Sequence, residues 1–378
     1  MEQNHEVVDL KDPTELFNSL ASPRPTVFAI EGGPCGGKTT LLQELEKVAA
    51  DQQRPIVLLP EIATPLIFEL AKQGTNFLEI AQDPVKFIEF ETLILKNIID
   101  SIGQAKIDHA GTDAIIVIDR VDVKPYLEEF EYQQVMNNLG LNLPPIIGHV
   151  DKVIYLPTVA KANPEKYIKL SSTNPSRYEN AADAVLTCDR NLEVASLNPD
   201  IAIYSDQDFD MKIRRAIDDV LRPDHQIVDQ FSADGTEDIL HIYENLNKIS
   251  THLNTISFHH TLHKIDGQKF VLRQGDIEGQ YQFYDFFINK DSDRQIHRNL
   301  SKQEYDLLSS CEFIGRLHKY RSRYIYEFEN REYVLSHDYY DGLQRSIIEI
   351  DGLLQIDAPR VKIKGFKLGG YWAPDLVQ

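Results

Sequence analysis

The chain has 378 residues, 42% apolar and 26% charged, with a net charge of −20. That acidity disfavours a polyanion partner, so no nucleic-acid binding is expected. No apolar run approaches the roughly 20 residues of a membrane helix, and three scattered cysteines give no disulfide or zinc spacing. The start, MEQNHEVVDLKDPTELF, lacks a basic and then apolar leader. Together these features read as a cytoplasmic, two-domain protein.

Residues 1–24 read as an N-terminal extension. From residue 25 the chain alternates short β-branched runs with helical stretches. Thr26–Ile30, Pro55–Leu59, Ala114–Ile118, Lys152–Leu156 and Ile201–Tyr204 read as buried strands. Lys38–Ala50, Val85–Ile102, Pro125–Asn137, Glu179–Ala195 and Phe209–Leu221 carry helical periodicity. This alternation implies a parallel sheet covered on both faces, spanning 25–222. Arg222–Thr236 reads as a linker, within a linker-and-helix stretch 223–253. From 254 to 357 polar and apolar residues alternate, as in YQFYDFFIN and REYVLSHD, which implies antiparallel strands around one helix, Lys302–Ser309. Asp266–Gly267 and Glu278–Gly279 read as their turns. Residues 358–378 form a tail. Charge divides the same way: residues 1–253 carry 22 basic against 41 acidic side chains, and the remainder 17 against 18.

The strongest motif follows the first strand. Gly32, Gly33, Pro34, Cys35, Gly36, Gly37, Lys38, Thr39 and Thr40 fit G-x4-G-K-[ST], a phosphate loop between strand and helix. Glycines let backbone amides turn inward on phosphate oxygens, and the helix start points its positive end at the same anion. Lys38 would reach the β- and γ-phosphates of ATP or GTP, with the Thr39 hydroxyl on magnesium. AIIVID ends in Asp119, a second candidate metal ligand, and Arg120 follows as a phosphate clamp. Glu61 ends the second strand, where open parallel sheets bind ligands. It is a candidate base or hydroxyl binder for an acceptor, or a charge complementing the next helix. Base preference is not legible.

With these residues in place, the chain resembles the AAA-type P-loop domain shared by the ribosylnicotinamide kinase half of bacterial NadR and the animal TRPL translocation defect protein. DRVDVKPYLE is similar to that family's Asp-Arg signature. Asn174, Arg177 and Glu179 take the places of its lid motif, which implies a catalytic role for Arg177 over the phosphates. Glu61-Ile62-Ala63-Thr64 lacks the kinase branch's arginine and favours the animal branch. The resemblance implies a nucleoside-kinase-like fold. KFVLRQG, NLSKQEYDLL, LHKYRSRYIYEF and YVLSHDYYDGLQRSIIEID resemble a CYTH-like domain, an α+β antiparallel barrel of the triphosphate tunnel type. Period two sends Lys319, Arg321 and Arg323 to one strand face, and Arg273 adds to an anion pocket there. The tunnel family's opening Glu-x-Glu-x-Lys is absent; only Glu349 and Asp351 echo its closing acids. The expectation is a kinase-like phosphotransferase acting on a small molecule. The alternative is a nucleotide-dependent binding module or slow NTPase, whose second domain holds an anionic ligand such as a triphosphate or a peripheral lipid headgroup.

Overall fold

The computed structural model describes residues 12–49, 54–172, 180–205, 208–221, 228–234, 250–291, 294–328, 331–341, 345–351 and 367–368. Two compact units emerge, one built on Pro23–Asp200 and one on Ile201–Gln378 together with the N-terminal Asp9–Ser22.

The first unit is organised by apolar strands β1 (Thr26–Gly32), β2 (Ile56–Leu59), β3 (Ile115–Asp119) and β4 (Lys152–Leu156). With β5 (Ile201–Ile203) they form a sheet in the order β2-β3-β1-β4-β5. The pairings β2–β3, β1–β3 and β1–β4 are parallel. Consecutive strands that are not neighbours need crossovers, and helices supply them. Val27–Ile30 and Ile115–Val117 are fully buried, as a strand covered on both faces requires.

Helices α2 (Lys38–Ala49), α3 (Ala63–Lys72), α4 (Phe77–Ala81), α5 (Pro84–Asp108), α6 (Glu129–Leu139), α7 (Pro145–Gly148), α8 (Val159–Ala162), α9 (Pro164–Ser171) and α10 (Ala181–Ala195) belong here. Asp83 starts the 25-residue α5 by accepting the Val85 and Lys86 amides, ahead of Pro84. The helix expected from Pro125 starts later. Lys124–Tyr126 is a 3-10 turn, and Glu128 and Glu131 form the capping box that opens α6. Helices α3 and α4 were not expected.

In the second unit, β7 (Ser250–Ile265), β8 (Gln268–Ile277), β9 (Tyr281–Asp291), β10 (Arg294–Leu300), β11 (Glu312–Phe328), β12 (Arg331–Asp341) and β13 (Arg345–Asp351) pair antiparallel. With β6 (Val228–Asp234) and β14 (Lys367–Leu368) they form a nine-stranded sheet in the order β10-β9-β8-β7-β11-β12-β13-β6-β14. Strand β6 lies in the stretch read as linker. Among the described residues no ladder joins β10 to β14, so the expected barrel is an open sheet rather than a closed one. The turns at Asp266–Gly267 and Glu278–Gly279 have φ of 47° and 83°, and 52° and 74°, the doubly left-handed form that matches strand twist. Helix α11 is Phe209–Leu221, and α12 (Lys302–Ser309) opens on a Ser301–Glu304 capping box.

The N-terminal stretch read as an extension holds α1 (Pro13–Ala21), capped by Asp12. Its Leu16, Phe17 and Leu20 join one core with Phe270, Leu272, Phe286, Ile288 and Leu308. Amphipathic spacing at i, i+1 and i+4 puts all three on one helix face. No described helix is long and apolar enough to cross a membrane.

Candidate functional site

At the end of β1 the chain leaves the sheet through Gly32 (φ 141°), and Gly37 (φ 106°) opens α2. A Cβ on Gly32 would stand 2.1 Å from the Leu156 carbonyl oxygen, and one on Gly36 2.4 Å from the same atom. The end of β4 thus presses on the loop so closely that only glycine fits. Cys35 holds a left-handed φ of 55°, a cost that ordinary turns avoid. The Gly36 amide donates to Gly33 O (3.1 Å), tightening the turn. Lys38 Nζ donates to Gly32 O (2.9 Å), which folds the lysine back over the loop. Thr39 is exposed at the start of α2, and Thr40 half-buried behind it.

Residues from distant elements brace this loop. Thr158 Oγ1 donates to Pro34 O (2.5 Å), and Asn191 Nδ2 on α10 donates to Gly32 O (3.4 Å). Cys188 Sγ accepts the Thr158 amide at 3.4 Å. Sequence reasoning missed these residues, and only tertiary contact marks them.

Asp119 closes β3 directly beside Ile30 of β1. Arg120 follows with φ 64°, its amide still bonded to Ile30 O (3.2 Å) and its guanidinium 4.5 Å over the Tyr126 ring. Glu31, 6% exposed, accepts the Val121 amide at 2.8 Å. Burial pushes its carboxyl up to about 7, against that hydrogen bond and against Arg120 and Lys38. An acid inside an otherwise apolar central strand, VFAIEG, is a signal the sequence did offer. Glu91 on α5 is also buried and is pushed to about 7 by burial, with Arg120 pulling it down. Asp122 accepts from the Lys124 amide and the Tyr132 hydroxyl and is raised to about 6 by burial.

A cleft beside Asp119 and Arg120 is lined also by Glu61, Ile62, Ala63, Ile94 and Ile98. Glu61 is exposed, and its carboxylate accepts the Thr64 amide at 3.0 and 3.1 Å. It therefore caps the first turn of α3 while bordering the cleft. Arg177, with Asn174 and Glu179, lies outside the described residues. The hydroxyl of Thr39 and the carboxylate of Asp119 are hard oxygen donors, which suit magnesium.

In the second unit, register places Arg273, Lys319, Arg321 and Arg323 on one face of the sheet with Phe258 and His260. They are 7%, 7%, 8% and 0% exposed. The cations were expected to be compensated by an external anion. Instead, built-in carboxylates meet three of them. Arg273 Nε contacts Asp285 at 2.7 Å, while Lys319 (2.5 Å) and Arg321 (2.6 and 2.8 Å) share Asp338. Burial would raise both carboxyls, but the neighbouring cations win and hold them below the usual range, Asp338 far below. The ring of Phe258 lies 4.8 Å from Arg273, 5.2 Å from Lys319 and 5.9 Å from Arg321. His260 is kept neutral by burial and then by Lys319 and Arg273. In the backbone ladder Ser336 pairs with Arg323 on one side and with Glu349 on the other. The face is of mixed charge. His259 turns the other way and stacks on His318, and His263 stacks on Phe270. No metal-binding cluster occurs among the described residues.

The family model for the AAA domain matches residues 27–167. No curated protein matches the chain. Among solved structures, thymidylate kinase from Ehrlichia chaffeensis aligns at 16% identity over 53% of this chain and 99% of that one, with a TM-score of 0.31. The PH1012 protein from Pyrococcus horikoshii OT3 aligns at 12% identity over 33% of this chain and 78% of that one (TM-score 0.25). HpAC1 from Hippeastrum, described as having a dominant triphosphatase activity, aligns at 10% identity over 34% and 79% (TM-score 0.25). Such scores mark partial likeness. The family match and the strand-loop-helix geometry agree: residues 27–167 are an AAA-type P-loop domain on a parallel α/β sheet.

Proposed function

We propose that the first unit binds ATP or GTP with magnesium and transfers the γ-phosphoryl group to a small acceptor in the cleft beside Glu61. The observation that carries this reading is the loop itself. Gly32 and Gly36 are sterically obligatory, and Lys38 is folded over the turn that α2 then opens. In this reading triphosphate oxygens take the place of the Gly32 carbonyl as the partner of Lys38. Thr39 and Asp119 would hold magnesium, which when bound neutralises phosphate charge. Arg120 faces the cleft from the strand end beside Asp119, where charge grows on the phosphoryl oxygens. Glu61 then orients the acceptor hydroxyl. Isothermal titration of the full chain with ATP and GTP, with and without magnesium, tests binding, and labelled-phosphate transfer over an acceptor panel tests turnover. No heat with either nucleotide refutes the reading.

A second reading has its own observation, the four buried basic residues around Phe258. In it the nucleotide acts as a conformational ligand, and the second unit holds a small anion, a triphosphate or a lipid headgroup. Nucleotide binding without turnover on any acceptor favours this version. The acidic balance of the chain and its three scattered cysteines accord with a cytoplasmic protein that avoids nucleic acid.

A further inference from the structure

The apex of the phosphate loop rests on the first residues after β4. Thr158 is 2% exposed, and its hydroxyl donates to Pro34 O at 2.5 Å while accepting the Ala160 amide at 3.2 Å. A Cβ on Gly33 would stand 2.8 Å from Thr158 Cβ and 2.8 Å from Cys188 Cβ, so the loop lies directly on this floor. The bond from Ala160 is the N-cap of α8, which serine, asparagine or aspartate would supply as well. The bond to Pro34 O is not explained by that helix.

Its consequence follows from the peptide unit. No peptide bond among the described residues is cis, so the Pro34 carbonyl and the Cys35 N–H leave one plane in opposite directions. Pinning the carbonyl onto Thr158 therefore turns the Cys35 N–H away from Thr158. Cys35 holds a left-handed φ of 55°, one half of the pairing of right- and left-handed residues that gathers successive amides into an anion-binding concavity. The preceding peptide has no amide to offer, because Pro34 lacks an N–H, and its Gly33 carbonyl is taken up inside the loop by the Gly36 amide. A flipped Pro34–Cys35 peptide would aim the Pro34 oxygen at the triphosphate, and its negative end would repel the phosphates. The other carbonyl anchor is less durable. Gly32 O accepts Lys38 Nζ at 2.9 Å and Asn191 Nδ2 at 3.4 Å, and the lysine leaves it when it turns to phosphate. The Thr158 bond uses no group that the nucleotide withdraws.

We propose that Thr158 is a positioning residue for the triphosphate: from just past β4 its hydroxyl fixes the Pro34–Cys35 peptide so that the Cys35 amide donates to a phosphate oxygen. Thr158 acts through that peptide and touches no ligand itself. This inference rests on the reading of the loop as a triphosphate site.

The test uses the full chain and AMPPNP with magnesium, which needs no acceptor. Cysteine occurs three times in the chain, so nitrogen-15-labelled cysteine gives three amide signals, and Cys35→Ser identifies that of Cys35 by its absence. In the parent protein the Cys35 amide proton is expected to move downfield on saturation, as a new hydrogen bond to a charged acceptor requires. Thr158→Val keeps the shape of the side chain and removes the hydroxyl. Titration calorimetry is expected to give AMPPNP affinity lowered about three- to tenfold in Thr158→Val and within about twofold of the parent in Thr158→Ser. The downfield shift is expected to be lost in Thr158→Val and restored in Thr158→Ser. A hydroxyl that only caps α8 would lower the melting temperature of Thr158→Val and leave both the affinity and the Cys35 shift as in the parent, and that result overturns the inference. So does a Cys35 amide that stays in place while the parent protein binds AMPPNP, a measurement that stands even where Thr158→Val fails to fold. A parent protein that binds no AMPPNP defeats the triphosphate reading itself, and this inference with it.

Discussion

Truncating Phe17 to alanine probes how the chain closes its second core. The residue is 3% exposed on α1, and its ring centroid lies 5.4 Å from that of Phe270 and 5.8 Å from that of Phe286, tilted and edge-on. Phe→Ala in a packed core costs about 3–5 kcal/mol, part transfer and part cavity. The two ring pairs place this site toward the upper end, since each adds about 0.5–1.5 kcal/mol beyond area. Leu308 and Leu272, both fully buried against the same cluster, limit how far the hole can relax. Hydrogen exchange read by mass spectrometry suits the measurement, because it resolves local opening free energies. At about 1.4 kcal/mol per decade, amides of β8, β9 and α12 should exchange roughly 10³-fold or more faster in Phe17→Ala. A fragment beginning at residue 254 lacks α1 altogether and should lose more, since Leu16 and Leu20 go with Phe17. Unchanged exchange in those elements would show that α1 does not complete the core and would refute the reasoning.

Lys38→Ala should weaken triphosphate binding about 30- to 150-fold, the equivalent of 2–3 kcal/mol for a lost charge-assisted contact; calorimetry giving an unchanged Kd removes the phosphate-loop assignment. Gly36→Ala forces a Cβ to 2.4 Å from Leu156 O, so the loop must move; nucleotide should then no longer raise the melting temperature while circular dichroism stays near that of the parent protein. The Glu91 carboxyl, raised from 4.5 to about 7 in the fold, binds its proton more tightly there than in the unfolded chain, so its stabilising contribution is complete below about 4.5 and lost as pH rises through about 7. Glu91→Gln should thus stabilise the protein by up to roughly 3 kcal/mol at pH 8 and change little near pH 4.5, and a pH-independent effect contradicts the burial argument. Asp338→Asn leaves Lys319 and Arg321 without their shared carboxylate, so tripolyphosphate at low salt should raise the melting temperature more in this variant than in the parent. No response in either protein refutes an anion pocket on that face.

The phosphate loop was legible because it is local. One apolar strand, one glycine turn and one helix start lie within 15 consecutive residues, and each carries its own signal. The strand of Asp119 and the start of α2 were legible for the same reason. What braces the loop was not: Thr158 and Asn191 come from elements more than 120 residues downstream, and nothing near them in the chain announces a contact. Helix α3 was missed for a different reason. Its ten residues, ATPLIFELAK, are fewer than the span over which helical periodicity is read, and none of them is buried. Helix α1 carries a clear apolar stripe, but the surface it covers lies some 250 residues later in the chain.

The second unit shows where period-two reasoning succeeds and where it stops. Alternation correctly sends Lys319, Arg321 and Arg323 to one face, because that follows from strand geometry alone. Whether such a face is a pocket depends on what stands opposite, and that is set by register. The pairing Arg321↔Asp338 places an acid between two cations, and Arg273↔Asp285 repeats the device two strands away. A slip of one residue in either hairpin would turn the acids outward and leave the cations packed against each other. Register therefore converts a repulsive cluster into a fixed lattice of paired charges around Phe258. In such a lattice a ligand anion gains only by competing with Asp338 or Asp285 for donors already engaged. The affinity of the face is then governed by its own carboxylates as much as by its arginines, which is why the Asp338→Asn response, rather than loss of a cation, is the measurement that separates a site from a core.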